Sequence, residues 1–559
     1  EPGGDISLTC KIGGKAAALK KISAEAEIRT PDGQKFTGAY TQAIRNGIPV
    51  KLAAGIQQAY TIGKYKVSIN LIDKETKGII ASFNNEISDA SISSPLHMLT
   101  RYSYYIKDAN APFRLAWGLD TPVKLDIEAS DSAGKIYKPF KGTVDAGAFE
   151  TKEIQISLDK LPQGNYKVIA YALTGGKRIE VASESLAKLP PGPVDVRTDK
   201  FLRLVCIDGK PTMLHGQYFP LIVSWKGTAY NGVWKLADVR LHGFNTITVP
   251  GLPYAKIDEN SQKFESFLNE CRKQNLKVII EIPRQAKAGG FESFKNNMLS
   301  YIGKFKNHPA VIGWFMVYEP DGWWKTKYKE EDMLKLYKAV KAEDPYRLTM
   351  YNWMFWPPVG TLDSSDVASL DRYPMRYSTL QFYPGVVSDV VSAMNRDAAP
   401  SGKPAMYYMQ QRGYWDLSRE PSVQEQKWTV YASFILGTRM LYHFEYKPMS
   451  TALWAAEKAL TGELETVFER TVSPGARQVA QKTAGDFMYS LWKTGKGYML
   501  VFANSGDKPA ASTIQLVDLP ERITISKCKP LAGSGKVSVE KGDIKVSLDG
   551  LDCGAYILE

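Results

Sequence analysis

The spacing of apolar and polar residues predicts β-strands throughout the first third of the chain. Residues 63–71 and 164–171 each begin at a Gly-x-Tyr-Lys-Val segment and then alternate apolar with polar side chains. Such period-2 alternation after a turn is typical of a half-buried strand. The two segments lie about one immunoglobulin-like domain apart. We therefore predict two tandem immunoglobulin-like β-sandwiches, at residues 1–95 and 96–193.

A Pro-Pro-Gly-Pro linker at residues 190–193 precedes a change of pattern. Short apolar runs now alternate with helical patterns at residues 263–273, 291–304, 331–341 and 425–436. The eight apolar runs predict strands at residues 212–215, 246–249, 278–282, 311–318, 348–351, 367–370, 405–409 and 439–444. Eight strand–helix repeats in about 250 residues predict a closed (β/α)8 TIM barrel at residues 194–470. An open doubly wound sheet is the alternative, but no G-x-G-x-x-G follows the first strand.

Short strands return near the C-terminus, at residues 498–503, 513–517, 544–548 and 555–558. They predict a C-terminal β-sandwich at residues 471–559. The predicted fold class is therefore a multidomain α/β plus all-β protein, in which the barrel is flanked by two N-terminal sandwiches and one C-terminal sandwich.

Composition excludes several classes of protein. The chain has 559 residues, of which 44% are hydrophobic and 23% charged, so it contains enough apolar material for several cores. No apolar stretch is long enough to predict a membrane-spanning helix. The net charge is +12, but the positive residues form no block, which argues against a compact nucleic-acid site. A basic surface suits an anionic polysaccharide or a cell envelope; a soluble protein that is simply basic is the alternative.

Cysteine usage and the N-terminus say little about the compartment. The five cysteines form no C-x-x-C pair, although Cys528 and Cys553 are close enough in sequence to bond. The chain starts at Glu1 without Met or an apolar leader. We expect a secreted or periplasmic protein whose signal peptide has been removed; trimming of the N-terminus explains the start equally well.

Reactive groups in a (β/α)8 barrel come from the C-terminal ends of its strands. In this chain those ends carry polar and aromatic side chains, including His215, Glu319, Asp371 and Glu445. No H-E-x-x-H, G-x-S-x-G or Walker motif is present, so neither a metal nor a cofactor is expected.

Three motifs carry a family resemblance. They are Ile-Asp-Gly-Lys-Pro at 207–211 before His215-Gly216, Gly-Trp-Phe-Met-Val-Tyr-Glu-Pro at 313–320, and Ser-Leu-Asp-Arg-Tyr-Pro at 369–374. Over residues 200–460 the chain resembles the clan A glycoside hydrolases. The resemblance implies that Glu319, at the end of strand 4, is the general acid/base of glycoside hydrolysis, a reaction that needs two carboxyl groups.

The chain departs from this family pattern twice. Tyr318 stands where the clan has an Asn before the acid/base, so sugar recognition there must differ. Gln410 or Gln411 stands where the clan has its nucleophilic Glu at the end of strand 7, and an amide cannot form the usual ester. Four explanations remain open: an engineered Glu→Gln substitution, a different carboxylate (Glu445 or, second, Asp371), assistance by the substrate, or a barrel that only binds.

Glu445 is the first candidate for a carboxylate that acts in place of the missing nucleophile. Alternation along strand 8 sets Glu445, His443 and Leu441 against Phe444 and Tyr442. If Glu445, His443 and Leu441 face the lumen, Glu445 lies across the barrel from Glu319. If they face outwards, Glu445 is an ion-pair partner. Two carboxyl groups on opposite walls of the barrel favour hydrolysis with inversion of the anomeric configuration, but hydrolysis with retention stays open.

Aromatic and polar residues on the same rim predict a sugar cleft, because sugar C–H faces stack on aromatic rings while hydroxyls need polar partners. The aromatic set comprises Trp225, Trp323, Trp324, Trp353, Trp356, Tyr373 and Trp415. The predicted substrate-binding residues are His215, Gln217, Tyr318, Trp323, Asn352, Trp353, Asp371, Tyr373, Gln411, Arg412 and Trp415. Arg372, Arg376, Arg412 and Lys447 are suited to a substrate carboxylate or sulfate; structural ion pairs are the alternative.

The sequence thus predicts hydrolysis of a β-linked oligo- or polysaccharide, with anionic substrates included. The alternative is a non-catalytic glycan-binding protein built on the same barrel. A homo-oligomer assembled through the sandwiches is compatible with either. The predicted catalytic positions are Glu319, Glu445 and Gln410.

Overall fold

A computed structural model describes most of the chain and all eight barrel strands. The described residues are 5–11, 21–29, 35–40, 49–55, 65–76, 78–87, 95–119, 121–148, 150–219, 233–252, 257–283, 290–320, 329–354, 362–375, 381–413, 419–495, 497–518, 523–540 and 543–559. They form two compact units, Glu1–Pro191 and Gly192–Glu559, whose division falls inside the Pro-rich linker at 190–193.

The first unit consists of antiparallel sheets. Its strands are β1 Asp5–Lys11, β2 Ile22–Arg29, β3 Lys35–Tyr40, β4 Pro49–Gly55, β5 Tyr65–Asp73, β6 Ile79–Ile87, β7 Leu96–Thr100, β8 Asn110–Trp117, β9 Val123–Asp131, β10 Ile136–Tyr137, β11 Thr143–Ala146, β12 Thr151–Ser157, β13 Gly164–Thr174 and β14 Lys177–Lys188. Strands β1–β6 form a two-stranded and a four-stranded sheet. Strands β7–β14 form a three-stranded and a five-stranded sheet that share one core, which includes Phe113 and Ile156 on one side and Leu125 and Val168 on the other. This second pair of sheets is a β-sandwich.

The second unit opens with a small antiparallel sheet and continues into the barrel. The opening strands are β15 Val196–Asp199, β16 Leu204–Ile207 and β17 Lys210–Thr212. The barrel strands are β18 Leu214–Tyr218, β19 Thr246–Pro250, β20 Lys277–Glu281, β21 Val311–Tyr318, β22 Leu348–Asn352, β23 Ala368–Leu370, β24 Ala405–Gln410 and β25 Met440–Phe444. All eight run parallel in the order expected of a barrel. Bridges between Met350 and Val367 and between Trp353 and Leu370 join the two end strands and close the sheet.

Helices follow the barrel strands and cover the outside of the sheet. They are α1 Val233–Leu241, α2 Ile257–Lys273, α3 Gly290–Phe305, α4 Glu330–Glu343, α5 Pro384–Ala398, α6 Val423–Ile435 and α7 Thr451–Thr471. Their apolar faces pack on the sheet; α2, for example, buries Phe264, Phe267, Leu268 and Cys271. In the part of the chain that the structure describes, no helix is long and apolar enough to cross a membrane.

The C-terminal strands form a second β-sandwich. They are β26 Arg477–Ala484, β27 Phe487–Thr494, β28 Gly497–Asn504, β29 Ala510–Ile514, β30 Cys528–Gly533, β31 Lys536–Glu540, β32 Asp543–Leu548 and β33 Cys553–Leu558. A five-stranded and a three-stranded sheet share a core that includes Leu500 and Phe502 from one and Ile544 and Val546 from the other.

These features confirm the predicted fold class of a TIM barrel with flanking β-sheets. Some local predictions were wrong. The first barrel strand starts at Leu214, because Thr212 ends an antiparallel hairpin. The strand predicted at 513–517 ends at Ile514, and residues 516–518 form a 3-10 turn. Cys528 and Cys553 are both free, and the Cys528 thiol donates to the Val537 carbonyl instead.

Candidate active site in the barrel lumen

Alternation along the strands decides which side chains face the lumen. The barrel core contains Leu214 from β18, Ile279 from β20, and Met440 and Tyr442 from β25. Gly216 is required beside Tyr442, because a Cβ at that position would lie 2.4 Å from the ring. Since side chains in a strand alternate with period two, the residues two positions beyond each core residue continue the lumen face.

Glu319 follows strand β21 at the C-terminal rim and is 7% exposed. Its backbone has a φ of +43°, a left-handed conformation that costs a non-glycine residue about 1–2 kcal/mol. Its N–H donates to the Asn352 carbonyl at 2.9 Å, which ties the turn to the neighbouring strand β22. The backbone strain is thus stabilised by the barrel wall and places a buried carboxyl group at the rim.

Asn352 lies next to this turn and is 1% exposed. Its Oδ1 accepts a hydrogen bond from the Ser369 hydroxyl at 2.8 Å. Its Nδ2 has no hydrogen-bond partner within the described ranges. A buried amide donor without a partner costs free energy, so a ligand hydroxyl here would supply a missing acceptor.

Two further carboxylates occupy lumen positions. Asp371 directly follows β23 and is 4% exposed, two positions after Ser369. Glu281 is the last residue of β20, two positions after the core residue Ile279, and is 8% exposed. It accepts a hydrogen bond from the Tyr218 hydroxyl at 2.7 Å. Sequence reasoning missed Glu281, although a carboxylate at the end of the predicted 278–282 strand was the available signal.

Gln410 and Gln411 point in different directions. Gln410 ends β24 on the lumen side, where its Nε2 donates to the carbonyls of Arg412 and Arg419, each at 3.2 Å. Gln411 points outwards, and its Nε2 donates to Glu457 on α7 at 2.8 Å. Of the two glutamines, Gln410 is therefore the one on the lumen side, and two backbone carbonyls hold its amide nitrogen.

Strand β25 does not turn His443 and Glu445 towards the lumen; its other face points inwards. Met440 and Tyr442 face the lumen, and the Phe444 ring lies 5.0 Å from that of Tyr218. Glu445 follows Phe444 and forms an ion pair with Arg412 at 3.2 Å. Burial raises the pKa of Glu445, and the guanidinium of Arg412 opposes that rise only in part.

Alternation along β18 places His215 and Gln217 on the outer face of the wall. His215 Nε2 and His443 Nε2 are 2.8 Å apart, and His443 Nδ1 lies 2.8 Å from Gln426 Nε2 and 3.3 Å from Glu457. Burial, together with the electrostatic effect of the neighbouring His443, holds the pKa of His215 well below its usual range. His215, His443 and Glu457 bring possible metal-ligand atoms within 4.8 Å of one another. The direct contact between the two imidazoles makes this a buried hydrogen-bonded cluster rather than a preformed metal centre.

Several aromatic rings cluster near the C-terminal ends of the barrel strands. Phe444 is flanked by the rings of Tyr218 at 5.0 Å and Tyr373 at 6.1 Å, and Tyr318 packs beside Phe315 at 5.8 Å. The Trp353 side chain is 7% exposed. The predicted rim residues Trp225, Trp323, Trp324, Trp356, Arg376 and Trp415 lie outside the described residues.

Comparison with known proteins agrees with this architecture. Residues 258–405, from within α2 to the start of β24, match the model of the TIM barrel domain of glycosyl hydrolases family 2. No curated protein sequence matches the chain.

Several solved structures are similar to the chain at low identity. One is a putative β-galactosidase from Bacteroides fragilis, with 11% identity, 98% of this chain and 85% of that chain covered, and a TM-score of 0.37. The β-glucuronidase of Bacteroides uniformis is 13% identical, with 97% of this chain and 70% of that chain covered and a TM-score of 0.38. The β-galacturonidase of Eisenbergiella tayi, bound to galacturonate, is 14% identical, with 82% of this chain and 88% of that chain covered and a TM-score of 0.37.

The family 2 match covers strand β21, which Glu319 directly follows, and about half of the closed parallel barrel. It confirms the resemblance that the strand-end motifs predicted. Residues 258–405 of the closed barrel are thus similar to the TIM barrel domain of family 2 glycosyl hydrolases.

Proposed function

We propose that the chain hydrolyses a β-linked oligo- or polysaccharide, with Glu319 as the general acid/base. The observation that carries the proposal is the position of Glu319: a carboxyl group at the C-terminal rim of strand β21, 7% exposed, on a strained turn tied to Asn352. A group in this position can protonate the glycosidic oxygen as the bond breaks.

The surrounding lumen supports a sugar-binding role. The Nδ2 of Asn352 is a buried donor beside Glu319, and the ring of Tyr373 offers an apolar surface in line with Phe444. Asp371 provides a carboxylate on the lumen side of strand β23. Arg412 already pairs with Glu445, which favours a structural role for that pair over recognition of an anionic substrate.

The proposal is tested with Glu319→Gln and a series of aryl β-glycosides whose leaving groups differ in acidity. We expect hydrolysis of the poor leaving groups to fall roughly 10²- to 10⁴-fold, because the proton donor is lost. Activated dinitrophenyl glycosides need little protonation and should lose much less. The control is Glu343→Gln. Glu343 lies on helix α4 and forms an ion pair with Lys306, so its replacement should leave every hydrolysis rate unchanged. Equal small losses across the series would show that Glu319 is not the acid.

A non-catalytic glycan-binding protein is the second candidate, and Gln410 is the observation that favours it. The position where the resemblance implies a nucleophilic Glu holds an amide that donates to two backbone carbonyls. Under this alternative, no aryl glycoside is hydrolysed above background, yet calorimetry detects binding of an oligosaccharide, which Asn352→Ala weakens.

We further propose that the protein acts outside the cytoplasm, where polymeric glycans are accessible. The support is the basic composition, with a net charge of +12. Fractionation of the source cells with an antibody to the chain tests this, and a purely cytoplasmic signal would contradict it.

A further inference from the structure

The loops that follow strands β24 and β25 carry positive charges beside the candidate site. The described residues of these loops are 411–413, 419–422 and 445–450, and their cationic side chains are Arg412, Arg419 and Lys447. Arg412 and Arg419 start next to the lumen, because Gln410 donates to the carbonyl of each. An anionic sugar that binds at this part of the rim needs such a cation for its carboxylate.

Two of these cations are held by carboxylates of the protein. Arg419 forms a bidentate pair with Glu425 on helix α6, with its Nη1 and Nη2 atoms at 2.7 and 2.6 Å from the two carboxylate oxygens. Lys447 lies 3.7 Å from Asp238 on helix α1, which covers the outside of the barrel. Neither side chain is therefore directed towards a ligand in the lumen.

Arg412 is the third cation, and Glu445 is its partner. The contact is a single one, from Nη1 to Glu445 Oε1 at 3.2 Å, and the two side chains are 43% and 26% exposed. The backbone N–H groups of Gln411 and Arg412 donate to the Phe444 carbonyl at 2.8 and 3.3 Å, which joins the ends of β24 and β25. The pair thus lies at the rim, next to two strand ends, and is open to solvent.

The lumen adds negative charge to this rim. Period-2 alternation continues the lumen face to the strand ends. The positions reached are Tyr218, Pro250, Glu281, Tyr318, Asn352, Asp371, Gln410 and Phe444. Two of them are carboxylates, none is a lysine or an arginine, and Glu319 adds a third carboxyl group beside them. A sugar carboxylate placed here would face groups of like charge, which is costly.

Sugar hydroxyl groups suit the same lumen. The Nδ2 of Asn352 is a buried donor that has no hydrogen-bond partner in the described ranges, and a hydroxyl oxygen can accept from it. A carboxylate is an acceptor for hydroxyl groups, and the Tyr218 hydroxyl holds that of Glu281 in place at 2.7 Å. Neutral polar groups therefore find partners where a charged group meets repulsion.

We propose that the site takes a neutral β-linked glycan and excludes uronic acids, and that Glu445 is a specificity-determining residue that occupies Arg412. This rests on the proposed function of hydrolysis. A uronate has to compete with Glu445 for the guanidinium and is repelled by Glu445 while it does so. A neutral sugar makes no use of the guanidinium. The rim arginine that made an anionic substrate plausible in the sequence is thus neutralised by its own partner.

The first test compares three aryl β-glycosides that differ only at C6: the neutral glycoside that the wild-type protein cleaves, the matching uronide and its uronamide. The uronamide has the shape of the uronide without its charge, so the ratio of the two measures selection by charge alone. We expect kcat/KM for the uronide to be about 10²-fold below that for the uronamide, because like charges meet in the site. Equal values would overturn the proposal and leave the hydrolase intact, and no variant is needed.

The second test assigns the selection to Glu445. Glu445→Gln removes the charge that occupies Arg412, so the uronide-to-uronamide ratio of kcat/KM should rise about tenfold. Adding Arg412→Gln should cancel this gain, because no guanidinium remains to bind the uronate. Glu445→Asp keeps the charge and should keep the selection. Glu343→Gln, which breaks an ion pair with Lys306, is the control and should leave the ratio unchanged.

A merely structural role for Glu445 has a different signature. Glu445→Gln would then lower kcat/KM for all three glycosides together and leave the ratio of uronide to uronamide as it is in the wild type. That result would overturn the role of Glu445 in specificity.

Failure of the proposed function is also distinguishable. If no aryl glycoside is hydrolysed above background, the proposed hydrolysis fails, and calorimetry with the neutral sugar and the matching uronate reads the selection directly. Tighter binding of the neutral sugar would support exclusion of uronates by a protein that only binds. Tighter binding of the uronate, or binding of neither sugar, would overturn it.

Discussion

At the scale of single residues, the contacts of Gln410 are specific to an amide and would not suit the Glu that the family resemblance predicts at the end of strand β24. Its Nε2 donates to the carbonyls of Arg412 and Arg419. A carboxylate oxygen at the same point would face two carbonyl oxygens and repel both. The carbonyls of Arg412 and Arg419 are thus placed to accept from an amide.

This contact makes a prediction for Gln410→Glu. The two carbonyls should raise the pKa of the new carboxyl above its unfolded value of about 4.3, so the folded state favours the protonated form. The loss of stability should therefore be small near pH 4 and grow as the pH rises, to about 1–3 kcal/mol at pH 7. Thermal unfolding at both pH values measures this, with the exposed Gln478→Glu as control. If Gln410→Glu instead gains retaining hydrolysis, the chain carries a silenced nucleophile.

His215 predicts a second pH effect, of the opposite sign. Burial and His443 hold its folded pKa well below the unfolded value of about 6.5, so the unfolded chain binds more protons below that pH. Stability linked to His215 is present above pH 6.5 and is lost as the pH falls. Urea unfolding at pH 7.5 and 5.5 should show a smaller acid loss in His215→Gln than in the wild type. His97→Gln, in the other unit, is the control, and an equal acid loss in all three proteins would contradict the argument.

At the scale of elements, helix α6 shows how a short sequence signal sets a helix start. Ser422 accepts a hydrogen bond from Glu425 N at 3.2 Å, and Glu425 accepts one from Ser422 N at 2.7 Å, which together form a capping box. Burial raises the pKa of Glu425, but hydrogen bonds from Arg419 and Ser422 more than offset this and leave the pKa below its usual range. The cap and the ion pair therefore stabilise the same helix end.

We expect Ser422→Ala to lower the free energy of unfolding by about 1 kcal/mol, because a backbone N–H loses its acceptor at the helix N-terminus. Urea denaturation of the full chain measures the change. Ser266→Ala, in the exposed middle of α2, removes a hydroxyl that bonds only to the preceding turn and should change the free energy of unfolding far less. Equal effects of the two substitutions would show that the cap does not limit stability.

At the scale of the whole molecule, the barrel and the C-terminal sandwich belong to one compact unit. Helix α6 buries ten of the eleven residues from Glu425 to Ile435, all except Lys427. A helix buried on all sides needs packing partners on both faces. The barrel covers one face, and the C-terminal strands cover the other, where Gln424 Nε2 donates to the Gly550 carbonyl at 3.0 Å.

This packing predicts different outcomes for two truncations. A chain that ends at Gly475 exposes α6 and should be insoluble or lack cooperative unfolding. A chain that begins at Gly192 keeps the whole second unit and should unfold cooperatively. Expression of both, followed by circular dichroism during heating, tests this. A well-folded chain that ends at Gly475 would show that the barrel does not depend on the sandwich.

Much of the architecture followed from local pattern. Parallel strands with helices on one side and a packed lumen on the other appear in sequence as short apolar runs, so all eight barrel strands were predicted to within a few residues. The Pro-rich linker marked the division between the two units because proline and glycine interrupt regular structure. The strand-end rule placed Glu319 and Asp371 at the rim, where the structure has them.

The assignment of faces required the tertiary structure. In a strand buried on both sides, apolar residues occupy both faces, and no polar stripe shows which face is the lumen. Thus His215, Gln217 and His443 lie outside the wall, while Gly216 and Tyr442 lie inside it. Contacts between distant strands were equally hidden: the bond from Tyr218 to Glu281 spans 63 positions and exists only because the barrel brings its first and third strands together. The sequence by itself determined which segments build the barrel and which carboxylates lie at strand ends; the closed sheet decided which of those groups meet, because curvature and register, rather than local propensity, set the distances across the lumen.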